Sequence, residues 1–139
     1  MNATHAEVLA RRRHVILNAD ADGFADLFAP GAVIEVPFAG PGVPARQEGR
    51  ETIRAFARQV MAWPLRLADL EVVELYQTQD PEVVIAEVRA KGTVSTTGRS
   101  FTATSIQILR IRDGQIVLFR DFADPRVLTD LTAEARPGS

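Results

Sequence analysis

Cysteine is absent from all 139 residues. That excludes a disulfide framework, a thiolate nucleophile and a cysteine-based zinc site, and it points to a reducing compartment. Histidine is nearly as scarce. His5 and His14 form no His-x3-His pair and join no convergent three-ligand spacing, so neither a metal nor any other cofactor is expected, and a Ser-His-Asp triad has no support. Charge of one sign is also lacking: 16 Lys and Arg stand against 18 Asp and Glu, a net charge of −2. So balanced a surface offers no broad positive field for nucleic acid. No apolar run approaches the roughly 18 residues that a membrane span needs, and the first ten residues lack the apolar centre of a secretory signal. The expected location is the cytoplasm, with no membrane partner. Aromatic residues make up only 6% of the chain, yet 46% of it is apolar, enough for one real core.

Helical signals come first along the chain. Thr4-His5-Ala6-Glu7 has the form of a capping box, predicting a helix over 5–18. Its apolar stripe of Leu9, Ile16 and Leu17 takes in Arg13 by the i+3 and i+4 rule. His14 falls one residue off that stripe. Arg11-Arg12-Arg13 fans out around the axis, so the other two arginines of the run are expected in solvent. Asp20 or Asp22 can cap a short second helix over 23–28, followed by a strand over 32–37 and a loop over 38–44. Gly40-Pro41-Gly42 in that loop lacks the Gly-Lys-Ser/Thr of a phosphate cradle and reads as a lip over a cavity mouth. Ile53, Phe56, Ala57, Val60 and Met61 recur at helical spacing, predicting an amphipathic helix over 50–63 that Pro64 stops. Four strands follow at hairpin spacing, over about 69–77, 83–95, 100–111 and 115–123. Helices first and an antiparallel meander last imply an α+β domain over 1–125, with a polar tail over 126–139.

The turn between the last two strands decides which side chains meet. A two-residue Asp113-Gly114 turn pairs residues whose numbers sum to 227 and sets Asp121 opposite Ile106. A three-residue turn, with Gly114 in a bulge, pairs residues summing to 226 and sets Asp121 opposite Ser105, with Gln107 diagonal to it. Polar economy favours the second. Ser105, Gln107 and Asp121 then share one surface among Phe101, Ala103, Leu109, Val117 and Phe119, where a carboxylate is desolvated and its pKa raised. Glu87, Arg89, Arg110 and Arg120 are expected on the outer face, mixed with Ile106, Ile108, Leu118 and Phe122.

Four segments carry a family resemblance. They are Ile16-Leu17-Asn18-Ala19-Asp20-Ala21-Asp22-Gly23-Phe24-Ala25-Asp26-Leu27-Phe28-Ala29, Val33-Ile34-Glu35-Val36-Pro37, Gly49-Arg50-Glu51-Thr52-Ile53-Arg54-Ala55-Phe56, and Arg112-Asp113-Gly114-Gln115-Ile116-Val117-Leu118-Phe119-Arg120-Asp121-Phe122-Ala123-Asp124-Pro125. Over about residues 5–125 the chain resembles the SnoaL-like branch of the NTF2-like superfamily. The resemblance implies a cone-shaped α+β fold, with three N-terminal helices on a curved, mostly antiparallel sheet around a central apolar pocket. It also implies a homodimer, here through the outer sheet face.

Set beside ketosteroid isomerases of that fold, the position of the catalytic base looks like Val36, that of the tyrosine like Arg13, and that of the protonated aspartate like Gln107. All three are replaced. The Asp-Arg-Asp relay of limonene epoxide hydrolases is half present, since Asp121 resembles one carboxylate while Ala90 stands where the other belongs. SnoaL-like polyketide cyclases are more similar, because they lean on one acid/base aspartate in the final strand; the assisting histidine of their neighbouring strand gives way here to Ser105 and Gln107. The resulting expectation is a cofactor-independent cyclase or isomerase acting on a hydrophobic carbonyl-bearing molecule such as a polyketide intermediate. Asp121 would move the proton with Arg13 and Gln107 in support, between walls formed by Val36, Phe38, Phe56, Val60, Trp63, Val88, Ala90, Ser105, Phe119 and Ala123. Two alternatives stay open: a non-catalytic small-molecule-binding or dimerisation module, and an epoxide hydrolase.

Overall fold

The computed structural model describes residues 4–124 together with Arg126 and Asp130, so the expected tail lies almost wholly outside the described residues. Helix α1 (His5–Leu17) starts where Thr4 Oγ1 accepts from the Glu7 amide at 3.1 Å. Helix α2 (Ala21–Ala25) is capped by Asp20, which takes the Gly23 amide. Then come strand β1 (Phe28–Glu35), the short strand β2 (Arg46–Glu48) and helix α3 (Arg50–Met61), which buries Ile53 and Ala57. The chain ends in four long strands, β3 (Leu65–Gln77), β4 (Val83–Val94), β5 (Arg99–Arg112) and β6 (Gln115–Ala123).

These strands make one sheet in the order β2-β1-β6-β5-β4-β3. Only the β1–β6 contact is parallel; every other pair is antiparallel. Parallel pairing needs a long crossover, and the whole β2-α3-β3-β4-β5 stretch supplies it. The architecture is the expected α+β cone of three helices on a mixed sheet. Val8, Leu9, Phe28, Ile34, Ile53, Leu109 and Ile116 anchor the core between the helices and the sheet's inner face. Gly92 is needed where β4 passes close to β3, because a Cβ there would overlap the Arg66 carbonyl.

Several local expectations change, the second helix among them: it runs over Ala21–Ala25 rather than 23–28, because Asp20 caps it and Phe28 already belongs to β1. Strand β1 begins at Phe28, four residues early, and runs through Pro30-Gly31. The β1–β6 register is interrupted between Phe28 and Val33, so the proline falls where no regular ladder bond is required of it. Strand β2 was not anticipated; three residues with one buried side chain carry too short a pattern to recognise. The β5–β6 turn is the two-residue one, with Asp113 and Gly114 both at positive φ (53° and 76°) as a type I′ turn requires.

That turn alone would set Asp121 opposite Ile106. Instead the register shifts once more: Ile111 pairs with Ile116 but Arg110 pairs with Leu118, leaving Val117 as a bulge. Beyond it Asp121 lies directly opposite Gln107, and Ala123 opposite Ser105. The preferred three-residue turn is therefore corrected, while the polar side chains it was meant to gather do share one face. Among the described residues no helix is long and apolar enough to cross a membrane, and no group of three His, Cys, Asp or Glu is placed to hold a metal ion.

Candidate active site

Asp121 belongs to the row of side chains on the sheet's inner face that also holds Gln107 and Ala86, beside a row containing Ser105 and Val88. Above them α1 delivers an arginine, and it is Arg12 rather than Arg13. Arg12 is 2% exposed, its Nη1 donates to Gln107 Oε1 at 2.7 Å, and its guanidinium lies over the Phe119 ring, 5.4 Å from the centroid. Arg13 instead leaves the site: its side chain is 53% exposed and pairs with Asp69 on β3 at 2.7 Å. Val8, Leu9 and Arg12 are the residues α1 buries, so the stripe is rotated by one position from the expected one. Both settings satisfy the i+3 and i+4 rule. The acceptor on Gln107 and the ring of Phe119, which lie far off in sequence, decide between them.

The chain of contacts is directional. An arginine only donates, so the Gln107 carboxamide turns its oxygen to Arg12 and its amide nitrogen to the other side. There Nε2 lies 3.4 Å from Ser105 Oγ. Ser105 and Gln107 line the same cavity as the Asp121 carboxylate, and both of them and the charge of Arg12 favour its ionised form. Even so, Asp121 Oδ1 is enclosed with no protein partner. Desolvation dominates and raises the Asp121 pKa above its ordinary 3.8, against the pull of Ser105, Arg12 and Gln107. Burial also lowers Arg12 to about 10, which attraction to Asp121 only partly offsets.

A cavity of about 160 Å³ opens at Asp121, lined by Leu70, Val88, Ala90, Ala103, Thr104, Ser105, Gln107, Ala123 and Asp124 as well. It is smaller than the roughly 300–1,000 Å³ of pockets that enclose drug-sized ligands, so it suits the reacting end of a molecule. Of the expected residues, Asp121, Gln107, Ser105, Val88, Ala90 and Ala123 meet here, and Phe119 carries Arg12.

The others lie elsewhere. Val36 is in the core, and Trp63 lies half-buried at the α3–β3 connection, outside the lining. Phe56 and Val60 border a separate cavity under α3. Phe38 is 55% exposed and packs edge-on against Phe122 of the outer face, because the 38–44 loop turns away from the cavity. Sequence reasoning missed Arg12, Asp124 and Leu70. Only Arg12 left a signal, in its spacing from Val8 and Val15.

Residues 10–119 match the SnoaL-like domain. The chain belongs to this family. An uncharacterized PhzA/B-like protein of Pseudomonas aeruginosa is 41% identical to this SnoaL-like chain over 126 residues, covering 90% of it and 86% of the relative. A Bacillus subtilis crystal structure, provisionally named an isomerase, superposes with a TM-score of 0.84 at 29% identity, over 93% of this chain and 92% of that one. The epoxide hydrolase/cyclase-like enzyme SalBIII, connected with pyran ring formation in the polyether salinomycin, superposes at 0.67 with 20% identity, covering 86% and 89%. That last likeness is one of fold. NTF2-like proteins among solved structures share the same architecture.

Proposed function

We propose that this SnoaL-like protein is a cofactor-independent acid/base enzyme, of cyclase or isomerase type, acting on a hydrophobic carbonyl-bearing small molecule such as a polyketide intermediate. One observation carries the reading: Asp121 bounds a mostly apolar cavity with a raised pKa and an unpartnered carboxylate oxygen. A carboxylate so placed is a stronger base than one in water. It takes a proton from a carbon beside the carbonyl, or from an attacking hydroxyl, and the electron pair left behind goes to the substrate's oxygen. Negative charge thus moves from Asp121 to substrate while Arg12, buried behind Gln107, remains positive, so the site's net charge does not change during the step. Gln107 holds Arg12 and Asp121 in register and does not itself exchange a proton.

Deuterium exchange beside the carbonyl of 2-decalone, followed by NMR, tests this. The protein should accelerate the exchange, and Asp121→Asn should lower that acceleration about 10²- to 10⁴-fold while its folded spectrum persists. Equal rates in the two proteins reject the proposal and favour a binding module. Epoxide hydrolysis is the weaker reading. Asp124 supplies a second carboxylate in the lining, but it also pairs with Arg126 at 3.5 Å.

The same reading includes a homodimer through the outer face. Ile106, 40% exposed, lies there in register with Phe122 and Glu87, beside Ile108 and Arg120. Light scattering at micromolar concentration is expected to give a dimer, and Ile106→Glu a monomer. A monomeric parent protein excludes this assembly.

A further inference from the structure

We propose that the cavity under α3 is a second ligand site, separate from Asp121, for a small apolar molecule bearing one hydrogen-bond donor. Gln47 Oε1 is its acceptor, and a phenol or alcohol fits where a hydrocarbon of the same shape does not. The cavity measures about 230 Å³, and its walls include Ile16, Ile34, Ile53, Phe56 and Val60. Gln47 is the one polar side chain among them.

The backbone holds that side chain inward. On β2 the alternation leaves Arg46 and Glu48 in solvent and turns Gln47, in register with Ile34, onto the inner face. Arg46 pairs with Glu48 at 3.4 Å and approaches Glu35 at 3.9 Å, so the outward side chains secure the strand's orientation. Gln47 is only 7% exposed, and its Oε1 has no partner.

Two costs therefore coincide at one place. An enclosed acceptor without a donor is unfavourable, and so are apolar walls left facing water. A buried water relieves neither well, because such waters take about three hydrogen bonds and the lining side chains offer one polar group. An apolar ligand with a single donor relieves both, and an apolar cavity with one placed polar group is the usual form of a small-molecule site.

The two cavities share no lining residue. In the sheet, Ile34 neighbours Phe119, and Phe119 carries Arg12. The arginine–phenylalanine stack thus stands on the inner face between the two compartments, and occupancy of the second does not depend on proton transfer at Asp121.

The test uses the full chain with methyl-labelled NMR and two matched probes, p-cresol and toluene. Saturable p-cresol shifts are expected at Ile34, Ile53, Val60 and Met61, with toluene about tenfold weaker. In Gln47→Met the preference disappears while toluene still binds. Because that side chain fills similar space without an unpaired oxygen, the denaturation midpoint is expected to hold or rise. Ala57→Leu, which fills the cavity, should abolish binding of both probes. The proposal is overturned if p-cresol shifts only Val88 and Ala90, if neither probe binds at millimolar concentration, or if Gln47→Met keeps the full preference. A fall in the Gln47→Met midpoint with p-cresol affinity unchanged assigns Gln47 a purely structural part and overturns it as well.

Discussion

Arg12 and Asp121 lie between α1 and the inner face of the sheet; Glu82 sits at the β3–β4 turn between Arg110 and Arg112, on the outside. Both groupings join arginine to carboxylate, yet they respond in opposite directions. Around Glu82 the bonds are short and direct, 2.8 Å from Arg112 and 2.9 Å from Arg110. Those bonds lower the Glu82 pKa to about 2 and raise both arginines. In the inner grouping desolvation outweighs attraction, so Asp121 rises and Arg12 falls to about 10. Where water remains, pairing fixes charge. Where water is excluded, the same two residue types are brought toward proton exchange, which is why a reacting carboxylate belongs inside.

The largest effect that sharpens this contrast comes from two neighbours on one helix. Arg12→Met leaves Asp121 without its compensating charge and Gln107 Oε1 without its donor. Breaking a buried pairing of this kind costs about 3 kcal/mol or more, and Asp121 should titrate higher still because the attraction that lowers it is gone. Arg13→Met removes a solvent-exposed pair with Asp69 and one hydrogen bond to the Leu70 carbonyl, a smaller loss because water screens the pair. Urea denaturation at neutral pH measures both. Equal losses would remove the distinction between the two arginines.

How far the sequence carried the site depended on whether the deciding contact was local. The α3 stripe and the four late strands were legible because periodicity and Pro64 mark them within a few residues. The shared face of Ser105, Gln107 and Asp121 was legible by polar economy, although the turn that was to produce it was not: two shifts, a shorter turn and the Val117 bulge, left the same parity. The bulge has no local signature. Arg12 over Arg13 depends on Gln107 and Phe119, roughly a hundred residues downstream, and the helix pattern alone accommodates either. Gln47 was illegible for a different reason: three residues of β2 are too few to show an alternation.

A smaller effect, in pH dependence, tests whether water access sets the sign. A carboxyl with a raised native pKa contributes stability that is fully present below its unfolded value of 3.8 and is lost as pH rises through the native value. Once ionised, Asp121 is therefore a cost of about 1.4 kcal/mol for each unit by which the native pKa exceeds the unfolded one. Asp121→Asn should be more stable than the parent at pH 7, with the gain vanishing below pH 3.8. Glu82 runs the other way. Its contribution is present above its unfolded value of 4.5 and lost as pH falls through about 2, so Glu82→Gln should be less stable at neutral pH and approach the parent as pH falls toward 2 and below. Solvent screening makes this the weaker of the two changes. Denaturation midpoints from pH 2 to 8 should therefore move in opposite directions for the two variants; if both lose stability at neutral pH, Asp121 is held charged by its partners like Glu82, and the buried carboxylate loses its claim to be the base.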